Sequence, residues 1–225
     1  MIAGNQLSVF ARLFTRGYFW LAERLYNELA WIYDPVSWLV SLGKWDSIRK
    51  LSLEFIHGPR VLEIGFGTGA LLLKLNNQGY EVTGFDLSPA MHRQTHRKLI
   101  REGVEIPRLR ARSQQMPFKS RSFDTIVSTF PAGYISDQQT WLEVARLMRP
   151  VNSSTGEKGR LVIVGVGTGV SIPAKPDHPR SIDSLVFYLS ERFTGLADSA
   201  GLSITIVTRT KGSLEIPILI AEESE

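Results

Sequence analysis

The sequence predicts an α/β fold: a doubly wound, mainly parallel sheet of seven strands with an antiparallel terminal strand, preceded by an N-terminal helical cap. Three observations predict it. From Arg60 onward, short apolar runs alternate with amphipathic helical stretches, the pattern of a parallel sheet covered by helices on both faces. Val61-Leu62-Glu63-Ile64 runs directly into Gly65-x-Gly67-x-Gly69, a buried strand that ends in a tight turn before a helix. Two further strand patterns flank Lys211-Gly212 so closely that they must pair antiparallel.

The elements follow in order. Phe10, Leu13, Phe14, Tyr18, Leu21, Leu25 and Leu29 recur at helical spacing, with Arg12, Arg16, Glu23, Arg24 and Glu28 between them, which predicts an amphipathic helix. Asp34-Pro35 marks a boundary, and a second helical region is expected from Val36 to Ile56. Residues 1–58 are expected to form the cap and 59–225 the core of one domain. Strands are expected at 60–64, 81–86, 107–111, 122–128, 160–166, 202–210 and 214–221. Helices are expected at 68–77, 89–102, 138–148 and about 181–200. Val151 to Gly159, rich in Ser, Thr and Gly, reads as an exposed loop, and Pro173, Pro176 and Pro179 mark a connection.

A chain of 225 residues, 43% of them hydrophobic, suffices for one substantial core. It contains no cysteine, which excludes disulfides, thiolate metal sites, iron–sulfur clusters and thiol nucleophiles. A net charge of +4 and a pI near 9.4 are mildly basic and do not by themselves indicate nucleic acid. No apolar run reaches the roughly 18 residues of a membrane span, and Arg12 and Arg16 interrupt the apolar start, so a cytoplasmic location is expected.

Ligands of doubly wound sheets sit beyond the carboxyl ends of the strands, so those ends hold the candidate chemistry. The glycine turn is the first, and the free amides of the helix behind it suit polar or anionic atoms. Gly65-x-Gly67-x-x-Ala70 also fits the relaxed dinucleotide fingerprint. Asp86 closes the second strand, where its carboxylate either accepts the ribose hydroxyls or caps the next helix; after a glycine turn, ribose binding is the stronger reading. The third strand end is Ala111 to Phe118 and the fourth Ser128-Thr129-Phe130. His92 and His96 have the spacing of two metal ligands but lack a third, so they are expected on solvated helix surface, and no metal is expected.

Between Arg60 and Glu222 the chain resembles the class I methyltransferases that use S-adenosylmethionine, which have a Rossmann-like fold. The matching elements are Glu63-x-Gly65-x-Gly67-x-Gly69, Asp86-Leu87-Ser88-Pro89-Ala90-Met91, Met116-Pro117-Phe118, Ser122-Phe123-Asp124 and the final strand pair. The resemblance implies that Glu63, Gly65, Gly67 and Gly69 meet the methionine part of the cofactor and that Asp86 holds the ribose. It implies that Leu87 and Met91 flank the adenine, and Ser128 completes the expected set. The family often places an acid where this chain has Arg112, which leaves the adenine to the backbone at Ser113 and Gln114. Tyr33-Asp34, Ser41-x-Gly43 and Arg49-Lys50 look like the opening segment of the ubiquinone and menaquinone C-methyltransferases and of bacterial phospholipid N-methyltransferases. Where the quinone enzymes carry an Arg-Asn pair, this chain has Pro131-Ala132-Gly133-Tyr134.

The expected function is therefore methyl transfer from S-adenosylmethionine to a small lipophilic acceptor, quinone-like or a phospholipid headgroup. A sulfonium is itself a strong electrophile, so alignment and water exclusion matter more than a base. Tyr33, Asp34, Tyr134 and His178 are the candidate bases, and each has a bland alternative as wall, cap or solvated loop residue. Phe10, Phe14, Phe19, Trp20, Trp31, Trp38 and Trp45 ahead of the core motivate the lipophilic acceptor. The first helix reads as a lid, with peripheral membrane contact as its second reading. A nicotinamide-dependent oxidoreductase and a non-catalytic module of the same fold remain the alternatives. Nucleic acid is not an expected partner, since the Asn/Asp-Pro-Pro-aromatic motif of amino-methylating enzymes is missing after Ser128.

Overall fold

The computed structural model describes residues 44–151, 156–166, 182–212 and 214–224. The expected helix at 10–29, the first part of the region 36–56, Tyr33, Asp34, His178 and the proline-rich connection lie outside the described residues, and with them the reading of membrane contact by the first helix. Helix α1 (Lys44–Arg49) passes into a 3-10 helix (Lys50–Phe55) and then β1 (Arg60–Ile64). There follow α2 (Ala70–Asn77), β2 (Glu81–Phe85), α3 (Pro89–Glu102), β3 (Arg108–Leu109) and β4 (Thr125–Thr129). A 3-10 turn (Gly133–Ser136), α4 (Gln138–Leu147), β5 (Arg160–Val164), α5 (Ile182–Ser199), β6 (Leu202–Lys211) and β7 (Leu214–Glu223) complete it.

The strands form one sheet in the order β3-β2-β1-β4-β5-β7-β6, parallel except for β7, which runs antiparallel to both β5 and β6. Alternation along each strand divides its side chains between two cores. Leu62, Ile64, Ile126, Leu161 and Ile163 point to the face covered by Trp141 and Val144 of α4 and Leu189 and Phe193 of α5. Val61, Val127, Val162 and Val164 point to the face covered by Leu71, Leu72 and Leu75 of α2, Leu99 of α3, and Ile48, Leu51 and Phe55. Both faces are covered, so β5 is apolar from Leu161 to Val164, while β1 and β4 also bury the polar residues Glu63, Thr125 and Ser128.

Local signals set the helix limits. Ser88 caps α3, its hydroxyl accepting from the Met91 amide at 3.4 Å; Pro89 opens the helix and Gly103 ends it at φ 66°. Asp137 caps α4 by accepting from the Gln139 amide at 2.8 Å. The third strand is two residues long, shorter than expected, because only Gly84 and Phe85 of β2 have partners there. The chain leaves β1 toward β2 and β3 and returns on the other side as β4, so the crevice between their carboxyl ends is the switch point where a ligand fits.

Candidate functional site

At that switch point Gly65, Gly67 and Gly69 have φ of 71°, 52° and 73°, all in the left-handed region. This backbone coils back on the sheet: the Gly65 amide donates to the Phe85 carbonyl at 2.8 Å, and the Gly69 amide to Phe66 at 2.9 Å. From α3, the Thr95 hydroxyl donates to the Gly67 carbonyl at 2.8 Å. A Cβ at Gly65 would lie 2.7 Å from the Tyr134 hydroxyl and one at Gly69 would lie 2.5 Å from the Thr95 methyl, whereas Gly67 faces open space.

Asp86, 2% exposed, accepts from the Gly67 amide at 2.9 Å through one oxygen and from the Ser88 amide at 2.8 Å through the other. It thereby joins the glycine turn to the start of α3, while Ser88 takes the capping role. The Asp86 carboxylate stands in the cavity wall, where a carboxylate's several lone pairs suit hydroxyl donors. The carbonyl of Asp86 is held by His92 Nε2 at 3.0 Å, and the His92 ring stands edge-on to Phe66 at 4.8 Å. This corrects the expectation of a solvated surface residue: only His96 is exposed. Among the described residues no cluster of His, Asp and Glu has the geometry of a metal site.

A cavity of about 460 Å³ opens over these strand ends. Its walls include Gly65, Asp86, Leu87, Ala111, Arg112, Ser113, Gln114, Gly133, Tyr134 and Asp137. Of the ten residues expected at the cofactor, Gly65, Asp86, Leu87, Ser113 and Gln114 line it. Leu87 is 52% exposed and offers an apolar wall. Met91 does not flank the cavity: its place in the first turn of α3 points it inward, where it is fully buried. Gly67, Gly69, Glu63 and Ser128 are not part of the cavity lining. Ser113 bonds Thr140 through its hydroxyl at 2.8 Å, and Gln114 donates to the Asp137 carboxylate at 2.9 Å. That bond, followed by the one from the Gln139 amide, holds the Asp137 carboxyl below its usual range.

Glu63 is 2% exposed, and burial raises its pKa to about 8 against the opposing pull of Arg49. One of its oxygens has no hydrogen-bond partner among the described residues, while the Leu72 amide at the start of α2 bonds the carboxyl. Its role in the geometry is to brace the helix behind the turn. Tyr134 reaches across the switch point: its hydroxyl donates to the Ile64 carbonyl at 3.2 Å and shares a 2.8 Å bond with the Ser128 hydroxyl. Burial pushes the Tyr134 phenol well above its ordinary pKa, so it stays protonated and is a donor rather than a base.

Two features are not evident from the sequence. Asp137 reaches the cavity because the 3-10 turn before α4 folds over it. Phe130, just past β4, adopts φ 51° and stacks on Trp45 with ring centroids 5.3 Å apart. A left-handed aromatic is strained, and the Trp45 contact helps hold it. Arg112 lines the cavity mouth, exposed. The Asp before the α4 pattern was a visible capping signal; nothing in sequence marked the Phe130 conformation.

The donor set suits a nucleoside with an amino-acid tail: a carboxylate for vicinal hydroxyls, an apolar shelf, polar groups at Ser113 and Gln114, and a glycine turn for close approach. Residues 61–151 match a family model described as a methyltransferase domain. The demethylmenaquinone methyltransferase of Thermus thermophilus is 32% identical over 147 residues, covering 62% of this chain and 63% of that protein. That of Thermotoga maritima is 32% identical over 148 residues, covering 64% and 60%. The chain thus spans about three fifths of the length of these curated relatives. A solved structure of a putative S-adenosyl-L-methionine-dependent methyltransferase from Methanococcus maripaludis superposes with a TM-score of 0.61 at 17% identity, covering 89% of this chain and 95% of that one. A Haemonchus contortus phosphoethanolamine N-methyltransferase, solved with phosphomonomethylethanolamine and S-adenosylhomocysteine, gives 0.58 at 18%, covering 81% and 53%. These two structures share the fold.

Proposed function

We propose, from the premise that residues 61–151 form a methyltransferase domain of class I, that the protein transfers a methyl group from S-adenosylmethionine to a small lipophilic acceptor related to quinones. The single observation that carries the reading is Asp86, bonded to the glycine turn on one side and the start of α3 on the other, at the edge of a cavity large enough for a nucleoside. In this reading Asp86 holds the ribose, Leu87 lies against the adenine, and Gln114 with Asp137 supplies the polar recognition that Arg112 does not. Gly65 admits the amino-acid tail. When bound, the sulfonium supplies an electrophilic methyl group, so the protein's task is orientation and dryness.

Tyr134 does that work without proton transfer. Its neutral hydroxyl pins the tips of β1 and β4 together and sets the wall that the tail and acceptor meet. Trp45 and Phe130 pair beyond the β4 tip, packed against the core rather than lining the cavity. The names of the curated relatives agree with a quinone precursor, and a phospholipid headgroup is the second reading.

Calorimetry with S-adenosylhomocysteine and with NAD separates the methyltransferase from the oxidoreductase: binding of the first alone is expected, and binding of NAD alone would refute the proposal. Mass spectrometry of quinone and lipid extracts after incubation with isotopically labelled cofactor then identifies the acceptor. Label on an apolar ring compound is expected; label confined to phospholipid headgroups favours the second reading.

A further inference from the structure

We propose that the face formed by α3 and the outer edge of β3 docks on an anionic lipid bilayer. Positions 93 to 112 hold seven cations, Arg93, Arg97, Lys98, Arg101, Arg108, Arg110 and Arg112, against Glu102 and Glu105. That excess of five exceeds the +4 of the whole chain, so the remainder of the molecule is close to neutral and this face carries its field.

The fold makes one surface of these residues. Arg93, Arg97 and Arg101 recur every fourth residue along the exposed side of α3. Beta strand β3 is the outermost strand on that side of the sheet. Arg108 of β3 brings its guanidinium to 3.5 Å from His96 Nδ1 of α3, and Arg110 donates to the Leu87 carbonyl at 3.0 Å, so helix and strand edge are continuous. Protection of a sheet edge accounts for one or two charges on the strand, but not for the stripe on the helix.

Apolar side chains stand among the cations. Ile100 is 63% exposed, Leu87 52% and Leu109 39%. Cations with interspersed aliphatic groups match the headgroup plane of an anionic membrane, where the charges meet phosphates and the aliphatic groups reach the acyl boundary. A nucleic acid is the poorer fit: residues 86–112 contain no Phe, Tyr or Trp on which a base could stack. An open cleft of about 440 Å³ beside Leu87, Arg110 and Arg112 runs from this face toward the mouth of the main cavity. The proposal stands on charge and topology and does not depend on methyl transfer.

Flotation of the full chain with vesicles tests it. The protein should float with vesicles containing phosphatidylglycerol, not with pure phosphatidylcholine, and added salt should release it. The triple variant Arg93→Gln, Arg97→Gln, Arg101→Gln should lose vesicle affinity by on the order of a hundredfold. Its circular dichroism spectrum and melting temperature should match the parent and so report that it is folded. The proposal is overturned if the folded triple variant floats as well as the parent, if the two vesicle types bind alike or not at all, or if duplex DNA binds more tightly than the anionic vesicles.

Discussion

Asp86 links three things at once: the glycine turn, the first amides of α3, and the cavity wall. An Asp86→Asn change keeps the shape but turns an amide N–H₂ toward one of two backbone donors. It should cost about 1–3 kcal/mol of stability and weaken S-adenosylhomocysteine binding at least tenfold, read by thermal melting and calorimetry. Gly65 offers a second test, since its Cβ would strike the Tyr134 hydroxyl while the ring carbon behind stands at 3.5 Å. Gly65→Ala should destabilise the protein, and adding Tyr134→Phe should recover about 1 kcal/mol by removing the clashing oxygen; the remaining loss is the cost of the left-handed backbone. Additive melting shifts would contradict that contact. Glu63 carries a pH signature. Its folded pKa, about 8, lies above the usual carboxyl value, so the folded state binds the extra proton and this contribution to stability falls as pH rises toward 8. Glu63→Gln mimics the protonated form and should flatten the decline in melting temperature between about pH 5 and 8; an unchanged slope would refute it.

Helix α4 shows how one cap serves both stability and the site. Asp137 accepts from the Gln139 amide and simultaneously holds Gln114 at the cavity. Asp137→Ala should cost about 1 kcal/mol in chemical denaturation and lower affinity for S-adenosylhomocysteine by freeing Gln114. Loss of stability with unaltered affinity would confine Asp137 to its capping role. The elements differ in how plainly sequence announces them. Helix α3 is legible to the residue because Ser88-Pro89 and Gly103 mark both ends with side-chain and backbone chemistry. The strand expected at 107–111 shrinks to Arg108–Leu109, since strand length there depends on how many β2 groups remain to be paired, a tertiary matter. The helical stretch ending near Ile56 finishes as a 3-10 turn, which puts Leu51 and Phe55 on the sheet together.

At the scale of the whole molecule, alternating elements made the parallel sheet and its covered faces readable, but not the order of the strands. The final strand inserts between β5 and β6 because its inward residues Ile216, Ile218 and Leu219 are buried there, while β6, half exposed along its length, takes the edge. The site was legible wherever backbone chemistry demands a residue type, as at Gly65 and Asp86. It was illegible wherever folding alone brings side chains together, as with Tyr134 over Gly65 or Asp137 beside Gln114. Met91 shows the opposite hazard, a motif position that the helix turns into the core. Among the described residues no helix is long and apolar enough to cross a membrane. The central claim is that the tips of β1 and β2 hold an adenosyl group by its sugar. A crystal structure of the protein grown with S-adenosylhomocysteine tests it most directly. The account predicts ribose hydroxyls on the Asp86 carboxylate, the base against Leu87 and the amino-acid tail beside Gly65; the ligand bound elsewhere, or a cavity closed by Tyr134 with no ligand in it, would contradict it.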